Sequence, residues 1–168
     1  MPSPPGPTGP DLDTPEVFIG YLDYFRSRVL TAIESLAEDD RRRSRLPSGW
    51  TPLELARHLT FMEMRWLEWG FEGRTVGDPW GDHEGGRWSV PPGETSAQVL
   101  EALRRQGDTT SSVIRRHGMA EIGQPGPRWG GDDPPRLDRI LFHVLQEYAR
   151  HVGHLDIVVE LATGAAGD

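Results

Sequence analysis

The sequence contains neither cysteine nor lysine, and each absence narrows what the protein can do. Without cysteine the chain has no disulfide bond, no thiolate ligand for a metal ion and no cysteine nucleophile. Any thiol chemistry must therefore use a thiol that arrives on a small molecule. Without lysine, all 18 of the permanently basic side chains are arginines.

The sequence also lacks an excess of positive charge and a long apolar run. Its 18 basic residues are outnumbered by 26 acidic ones, which gives a net charge of −8. This charge repels both nucleic acid phosphates and anionic lipid, and no stretch approaches the roughly 18 consecutive apolar residues of a membrane span. We therefore expect no nucleic acid and no membrane as a partner, and a cytoplasmic location.

The length and the N-terminal composition predict one domain with a short tail. Residues 1–12 are rich in proline and glycine and lack the basic start and apolar centre of a signal peptide, so we predict a disordered tail there. The remaining chain is long enough for one sizeable core, whereas either half would be short of apolar surface. Residues 13–164 are therefore predicted to form a single domain.

Four segments have the periodicity and the start signals of amphipathic helices. The first opens with Thr14 as its N-cap, and the second runs from a capping box at residues 51–54 to about Gly70. The third spans Ser96 to Arg116, and the last spans Leu137 to Leu161. The apolar stripe of the first helix consists of Phe18, Leu22, Phe25, Val29, Ile33 and Leu36.

The segments after the second and third helices show neither helical nor strand periodicity. Residues 71–93 are rich in glycine, proline and tryptophan, and residues 123–135 form a second irregular stretch. We therefore expect two long loops over the ends of the helices and no strand. The fold class that these patterns predict is an all-α bundle.

The last helix places two ligand-type residues beside its apolar stripe. At about 100° per residue, His151 lies inside the apolar arc and Glu147 lies at its border. Ionisable groups without a partner are costly at such positions. Because residues one turn apart project from the same helix face, Glu147 and His151 can bind one divalent ion together.

A third ligand can come from the second helix, where His58 borders the apolar face. Two imidazole nitrogens and one carboxylate oxygen would leave coordination positions open for water or substrate, as in catalytic metal sites. His143 and His154 compete with His151, but both turn away from the apolar arc, so we expect them beside the ligands. From spacing alone, ordinary hydrogen-bonded histidines, or a buried pair of Glu147 with His58, are the more frequent outcome.

Several other side chains are candidates for the neighbourhood of this site, each with an ordinary structural alternative. Glu63 lies on the apolar arc of the second helix. It is a candidate hydrogen-bond acceptor or general base beside the metal, and the structural alternative is a carboxylate paired with an arginine. Arg57 and Arg150 each precede a proposed ligand and are candidates to hold an anionic group, although exposure is more frequent for such residues. The loop tryptophans, which either wall a substrate cavity or cover the end of the bundle, are Trp80, Trp88 and Trp129.

Two stretches of the chain resemble a known family. The segment GWTPLELARHLTFMEMRWLEWGF (residues 49–71) and the segment LFHVLQEYARHVGHLDIVVEL (residues 141–161) closely resemble the DinB-like superfamily, in particular its actinobacterial branch of mycothiol-dependent enzymes. The specific parts are the second helix with its histidine and the string EYARHVGH. The resemblance extends from Thr14 to Thr163.

The resemblance implies a fold, an assembly and a metal site. Members of the superfamily are antiparallel four-helix bundles that commonly dimerise and often bind a divalent ion such as zinc or nickel. The ligand pattern His, Glu, His of the mycothiol-dependent maleylpyruvate isomerase falls on His58, Glu147 and His151 of this chain. Many DinB-like proteins have a third histidine at the position of Glu147, so the match favours the mycothiol-using branch.

The activity that the resemblance implies is the activation of a low-molecular-weight thiol. A divalent ion would stabilise the thiolate of mycothiol for attack on an electrophilic carbon. The first hypothesis is therefore a metal-dependent mycothiol S-transferase. The alternatives are an isomerase that acts through a transient thiol adduct and a non-catalytic, stress-associated protein that binds a metal.

Overall fold

A computed structural model of the chain describes residues 5–6 and 12–164. Most of the tail predicted for residues 1–12 lies outside the described residues. The described chain is mainly helical, which confirms the all-α class, and it contains one short hairpin. Within these ranges, no helix combines the length and the apolarity needed to cross a membrane.

The N-cap of the first helix, α1 (Thr14–Glu34), is Asp13 rather than the predicted Thr14. The Asp13 carboxylate accepts a hydrogen bond at 3.2 Å from the backbone N–H of Glu16. The negative charge of Glu16 lies in the first turn, where it interacts favourably with the helix dipole. A short helix, α2 (Glu38–Arg41), follows within the run of acidic and basic residues.

The second amphipathic segment divides into an α-helix and a wider helical turn. The helix α3 (Pro52–Met64) begins at the predicted capping box, in which Thr51 and Glu54 each bond the backbone N–H of the other. From Arg65 to Phe71 the backbone is π-helical, and the N–H of Glu72 bonds five residues back at 2.9 Å. Such wide turns change the phase of the side chains and are frequent at functional sites.

The loop after this segment contains a short antiparallel hairpin, so the expectation of a loop without strands is wrong. β1 (His83–Glu84) pairs with β2 (Arg87–Trp88), and His83 lies opposite Trp88. Gly85 and Gly86 form the turn with φ values of 58° and 79°, as a two-residue hairpin turn of this kind requires. Strands of two residues are too short to show alternation in the sequence.

The two remaining long helices agree closely with their predicted ranges. The helix α4 (Ser96–Arg116) begins at a capping box closed by Thr95. The helix α5 (Leu137–Thr163) ends at Gly164, whose φ of 72° makes it a left-handed C-cap. The loop between these helices contains one 3₁₀ turn at Pro127–Trp129.

The four long helices enclose one apolar core. α1 packs against α4 and α5, and α3 packs against the same two helices. The predicted stripe of α1 is buried except for Phe25, which is half-buried. Burial of each large apolar side chain stabilises the fold by about 1.5–3 kcal/mol. This packing brings α3 and α5, which carry the ligand candidates, into direct contact.

Candidate metal centre

Three ligand-type side chains from two helices converge on one point. His58 on α3 and the pair Glu147 and His151 on α5 each offer one atom, and these atoms all lie within 4.8 Å of one another. Zinc-like ions bind nitrogen and oxygen at about 2 Å, so small side-chain movements suffice to bring all three atoms to one ion. This metal cluster of His58, Glu147 and His151 could therefore hold a divalent ion.

His58 is oriented from its outer nitrogen by a buried carboxylate. Its Nδ1 lies 3.1 Å from Oδ2 of Asp82, and because a carboxylate only accepts, Nδ1 carries the proton and Nε2 keeps its lone pair. The ring stacks on Trp88, with 4.1 Å between centroids and 18° between planes. Burial lowers the pKa of His58, which favours the neutral form that binds metals.

Asp82 is anchored by several donors besides His58. It is completely buried, and Arg65 donates to its two oxygens at 2.6 and 3.2 Å. The Nδ1 of His83 lies 2.9 Å from one of these oxygens. Burial alone would raise the pKa of Asp82, but the hydrogen bonds from His58 and Arg65 outweigh it and hold the pKa below its ordinary value. The carboxylate is therefore charged and orients the ring of His58 by a charge-assisted hydrogen bond.

His151 is buried beside Glu147, one helical turn earlier on α5. Its Nε2 lies 3.1 Å from Oε2 of Glu147, and its Nδ1 is buried without a hydrogen-bond partner among the described residues. Burial and the neighbouring His58 lower the pKa of His151 to about 4, so the ring is neutral near pH 7. Because buried polar atoms are normally bonded, an imidazole with an unpartnered nitrogen fits a ligand-binding role.

Two further histidines of α5 flank the metal cluster. The Nε2 of His143 lies 3.6 Å from Oε1 of Glu147, and its ring packs on Trp66 with 4.5 Å between centroids. His154 is exposed, and its ring centroid is 6.1 Å from that of His151. Both histidines thus lie beside the cluster rather than within the group of converging atoms.

The metal cluster opens into a cavity of about 480 Å³. The other side chains that line this cavity are Leu46, Ser48, Trp50, Trp88, Arg150 and His154. A second cavity of about 230 Å³ shares Ser48, Trp50 and Trp88 with the first. The cavity thus combines an aromatic wall, an exposed arginine and the converging ligand atoms.

Three of the arginine and tryptophan candidates do not line this cavity. Arg57 is paired with Glu94 at 2.9 Å and also donates to loop carbonyls, so its charge holds the loop. Trp80 is half-exposed and covers Arg65, whose guanidinium carbon is 4.5 Å from the ring centroid. Trp129 donates its indole N–H to two backbone carbonyls.

Glu63 belongs to a separate group of polar side chains, the core network of Arg26, Glu63, Thr110 and Tyr148. The Glu63 carboxylate accepts from Arg26 at 3.1 to 3.2 Å, and also from the hydroxyls of Thr110 and Tyr148. Burial and the charge of Glu63 raise the pKa of Tyr148, which keeps its hydroxyl a donor. Glu63 is thus paired with an arginine, one of the two roles considered for it.

Sequence reasoning misses Asp82 and Arg65 as parts of this site. Asp82 lies in a segment without periodicity, so no helical phase relates it to His58. Arg65 lies on the π-helical turn, whose phase differs from that of α3. One usable signal is the presence of ionisable residues at positions 82 and 83 in a loop rich in tryptophan, a composition typical of a cavity wall.

A family profile described as Mycothiol-S-transferase matches residues 17–164. The matched range covers nearly all of the described chain and includes the three residues of the metal cluster. Among curated proteins, no sequence matches the chain significantly.

Proposed function

The chain belongs to the mycothiol-S-transferase family, and on that premise we propose that it is a metal-dependent enzyme that transfers the mycothiol sulfur to an electrophilic carbon. The observation that carries the proposal is the convergence of three ligand atoms within 4.8 Å beside a cavity. Family membership supports a small thiol as one substrate. The metal dependence rests on the chemistry of the cluster.

The proposed ligands of the ion are His58, Glu147 and His151, with open positions towards the cavity. Two neutral imidazoles and one carboxylate form a donor set that zinc and nickel both accept. Asp82 bonds the outer nitrogen of His58, as carboxylates commonly do behind histidine ligands. The unpartnered nitrogen of His151 also supports a ligand at this position.

When bound, the ion supplies a Lewis-acid site that favours the thiolate, the nucleophilic form of a thiol. The chain has no cysteine, so the sulfur belongs to the substrate. In the transfer the thiol gives up its proton, a sulfur–carbon bond forms, and the leaving group departs with the electrons of its bond to carbon. His154 lines the same cavity and is the proposed acceptor of that proton.

The proposed substrate contacts are Trp50, Trp88 and Arg150. The two tryptophan rings, with centroids 6.4 Å apart, present aromatic surface to the cavity. Arg150 is exposed there and forms no ion pair with any described residue, so its guanidinium is available to a polar or anionic group. Side chains from two helices and two loops thus surround one space.

Several wider features accompany this function. We propose that residues 13–164 form one domain, that the long helices form an antiparallel four-helix bundle, and that the protein is a cytoplasmic homodimer. Exposed apolar side chains on α1 and α5, among them Val17, Phe142 and Ile157, support the dimer. The net charge of −8 supports small-molecule substrates rather than nucleic acid.

The direct test is conjugation of mycothiol with monochlorobimane by protein loaded with zinc or nickel. We expect turnover above the uncatalysed rate, with one chloride released for each sulfur–carbon bond formed. The His151→Ala variant should bind metal about a hundredfold or more weakly and lose turnover in parallel, because one of three ligands is gone. His117→Ala removes a histidine outside the cavity and should retain both metal and activity.

Elemental analysis of untagged protein measures the metal independently of activity. Unchanged metal content in His151→Ala would contradict the ligand set. No turnover by metal-loaded protein with mycothiol would contradict the transferase and favour the non-catalytic alternative. Turnover of maleylpyruvate in place of bimane conjugation would favour the isomerase.

A further inference from the structure

Most arginines in the interior of this protein are paired with a carboxylate. Seven of the 18 arginines are buried or half-buried, and six of these form ion pairs with 2.5 to 3.3 Å between the closest atoms. The six are Arg26, Arg28, Arg41, Arg45, Arg57 and Arg65. The exception is Arg128, which has no ion pair with any residue that the structure describes.

Arg128 lies instead among three tryptophan rings, here called the aromatic shelf. Its guanidinium carbon is 4.2 Å from the ring centroid of Trp66, 5.5 Å from that of Trp129 and 6.0 Å from that of Trp69. Its Nε is buried without a hydrogen-bond partner among the described residues. Cation–π contact contributes about 0.5–2 kcal/mol, but it leaves the N–H donors of the guanidinium unused.

The aromatic shelf does not line the cavity of the metal cluster and is connected to the cluster through His143. Trp66 contacts Arg128 and also the ring of His143, with 4.5 Å between the two ring centroids. His143 in turn lies 3.6 Å from the carboxylate of Glu147. Two side chains in contact, Trp66 and His143, therefore connect an unpaired guanidinium to one of the proposed metal ligands.

We propose that Arg128 binds the carboxylate of the electrophile while the aromatic shelf supports the apolar part of the same molecule. The inference rests on the proposed function and adds a substrate class, namely a flat acid whose reactive carbon is several bonds from its carboxylate. A guanidinium matches a carboxylate with two parallel N–H donors. The carboxylate of the electrophile would pair with Arg128, as carboxylates of the protein pair with the other six buried or half-buried arginines.

Mycothiol itself cannot supply this group. The carboxyl of its cysteine is part of an amide bond, and the rest of the molecule is built from sugar and inositol, so it carries no carboxylate. The carboxylate on Arg128 therefore belongs to the second substrate, and Arg128 sets the choice of electrophile rather than the choice of thiol.

The test compares two electrophiles of nearly the same shape, 4-(chloromethyl)benzoate, which carries a carboxylate, and 4-(chloromethyl)benzamide, which carries a neutral amide. With either one, a sulfur–carbon bond replaces the carbon–chlorine bond, chloride leaves and the thiol proton passes to solvent. In the Arg128→Gln variant the KM for the benzoate should rise about tenfold or more, because a charged hydrogen-bond pair is lost. The kinetic constants for the benzamide should change less than twofold, and the Arg105→Gln control should change neither.

Binding of unreactive 4-methylbenzoate and 4-methylbenzamide gives a readout without turnover. Titration followed by tryptophan fluorescence should show saturable binding of the acid to the wild-type protein and loss of that binding in Arg128→Gln. The Arg128→Lys variant keeps the charge without the two-donor geometry, and should bind the acid with intermediate affinity. It also serves as the test protein if the glutamine variant does not fold.

The outcomes separate this inference from the proposed function. Turnover of the benzamide with no effect of Arg128→Gln on the benzoate would overturn the carboxylate site and leave the transferase intact. Equal losses for the two electrophiles would mean that Arg128 only holds the tryptophans in place, which also overturns it. No turnover of either electrophile by wild-type protein, combined with retained binding of 4-methylbenzoate, would count against the proposed function alone.

Discussion

The core network and the metal cluster share the helices α3 and α5 and have opposite character. Tyr148 of the network follows Glu147 of the cluster directly, and Glu63 follows His58 by five residues. In the network, the carboxylate and its donors satisfy one another in the closed interior. In the cluster, a buried ring nitrogen has no described partner and the group faces a cavity.

The comparison shows that residue type and burial do not distinguish a structural site from a ligand site. Both groups contain a carboxylate near the apolar face of a helix. What separates them is hydrogen bonding. Buried polar groups that bond one another need no ligand, whereas a buried ring nitrogen without a described partner beside a cavity is open to one. Variants that alter one group and leave the other intact test this distinction.

Removal of Glu63 is expected to have the largest effect. Glu63→Ala leaves the buried guanidinium of Arg26 with an ion pair only to the exposed Asp23, so the free energy of unfolding should fall by about 3–5 kcal/mol. Urea denaturation measures this loss. The control Glu101→Ala removes an exposed carboxylate of α4 and should change stability by less than about 0.5 kcal/mol. Similar losses in the free energy of unfolding for the two variants would show that the core network does not stabilise the fold.

Substitution of Asp82 tests the metal cluster without removing one of its proposed ligands. Asp82→Asn should weaken metal binding by about ten- to a hundredfold, because the carboxylate that orients His58 is lost. Competition with a chelator measures the affinity. Asp78→Asn changes another carboxylate of the same loop and should leave the affinity unaltered. The contrary result is a metal-free Asp82→Asn protein that unfolds at a lower temperature and still binds metal as tightly as wild type. That result would mean that Asp82 stabilises the loop and does not orient His58 for the metal.

The smallest effect concerns the space around the core network. A Cβ at Gly107 would lie 2.5 Å from the guanidinium of Arg26, which Glu63 holds in place. Gly107→Ala should therefore destabilise the protein by about 1–2 kcal/mol. Gly20 on α1 has no atom within 4 Å of such a Cβ, so Gly20→Ala should stabilise by about 0.5–1 kcal/mol. Thermal unfolding of the two variants decides the sign of each change.

Much of the fold can be predicted from the sequence because helices leave local signals. The capping box at Thr51, the range of α4 and the C-cap at Gly164 all follow from residue type and spacing. The hairpin at residues 83–88 cannot be predicted in this way, because its strands are too short for periodicity. The cap at Asp13 differs by one residue from the prediction because Asp and Thr are both good N-caps.

The candidate site likewise contains residues that the sequence predicts and residues that it does not. The helical phase brings Glu147 and His151 to one face, and the periodicity of α3 places His58 on its inner edge, so these three candidates need no tertiary information. Asp82 and Arg128 come from irregular segments, whose position depends on contacts across the fold. Neither the carboxylate behind His58 nor the unpaired guanidinium on the aromatic shelf is therefore visible in the sequence.

The π-helical turn at residues 65–71 restricts how this chain can change in length. Deleting one residue there would restore α-helical hydrogen bonding, but it would also rotate every later side chain of the turn by about 100° around the helix axis. Trp69 would leave the aromatic shelf, and the loop that carries Asp82 would start in another direction. The position of these side chains therefore depends on the number of residues in the turn as much as on their identity.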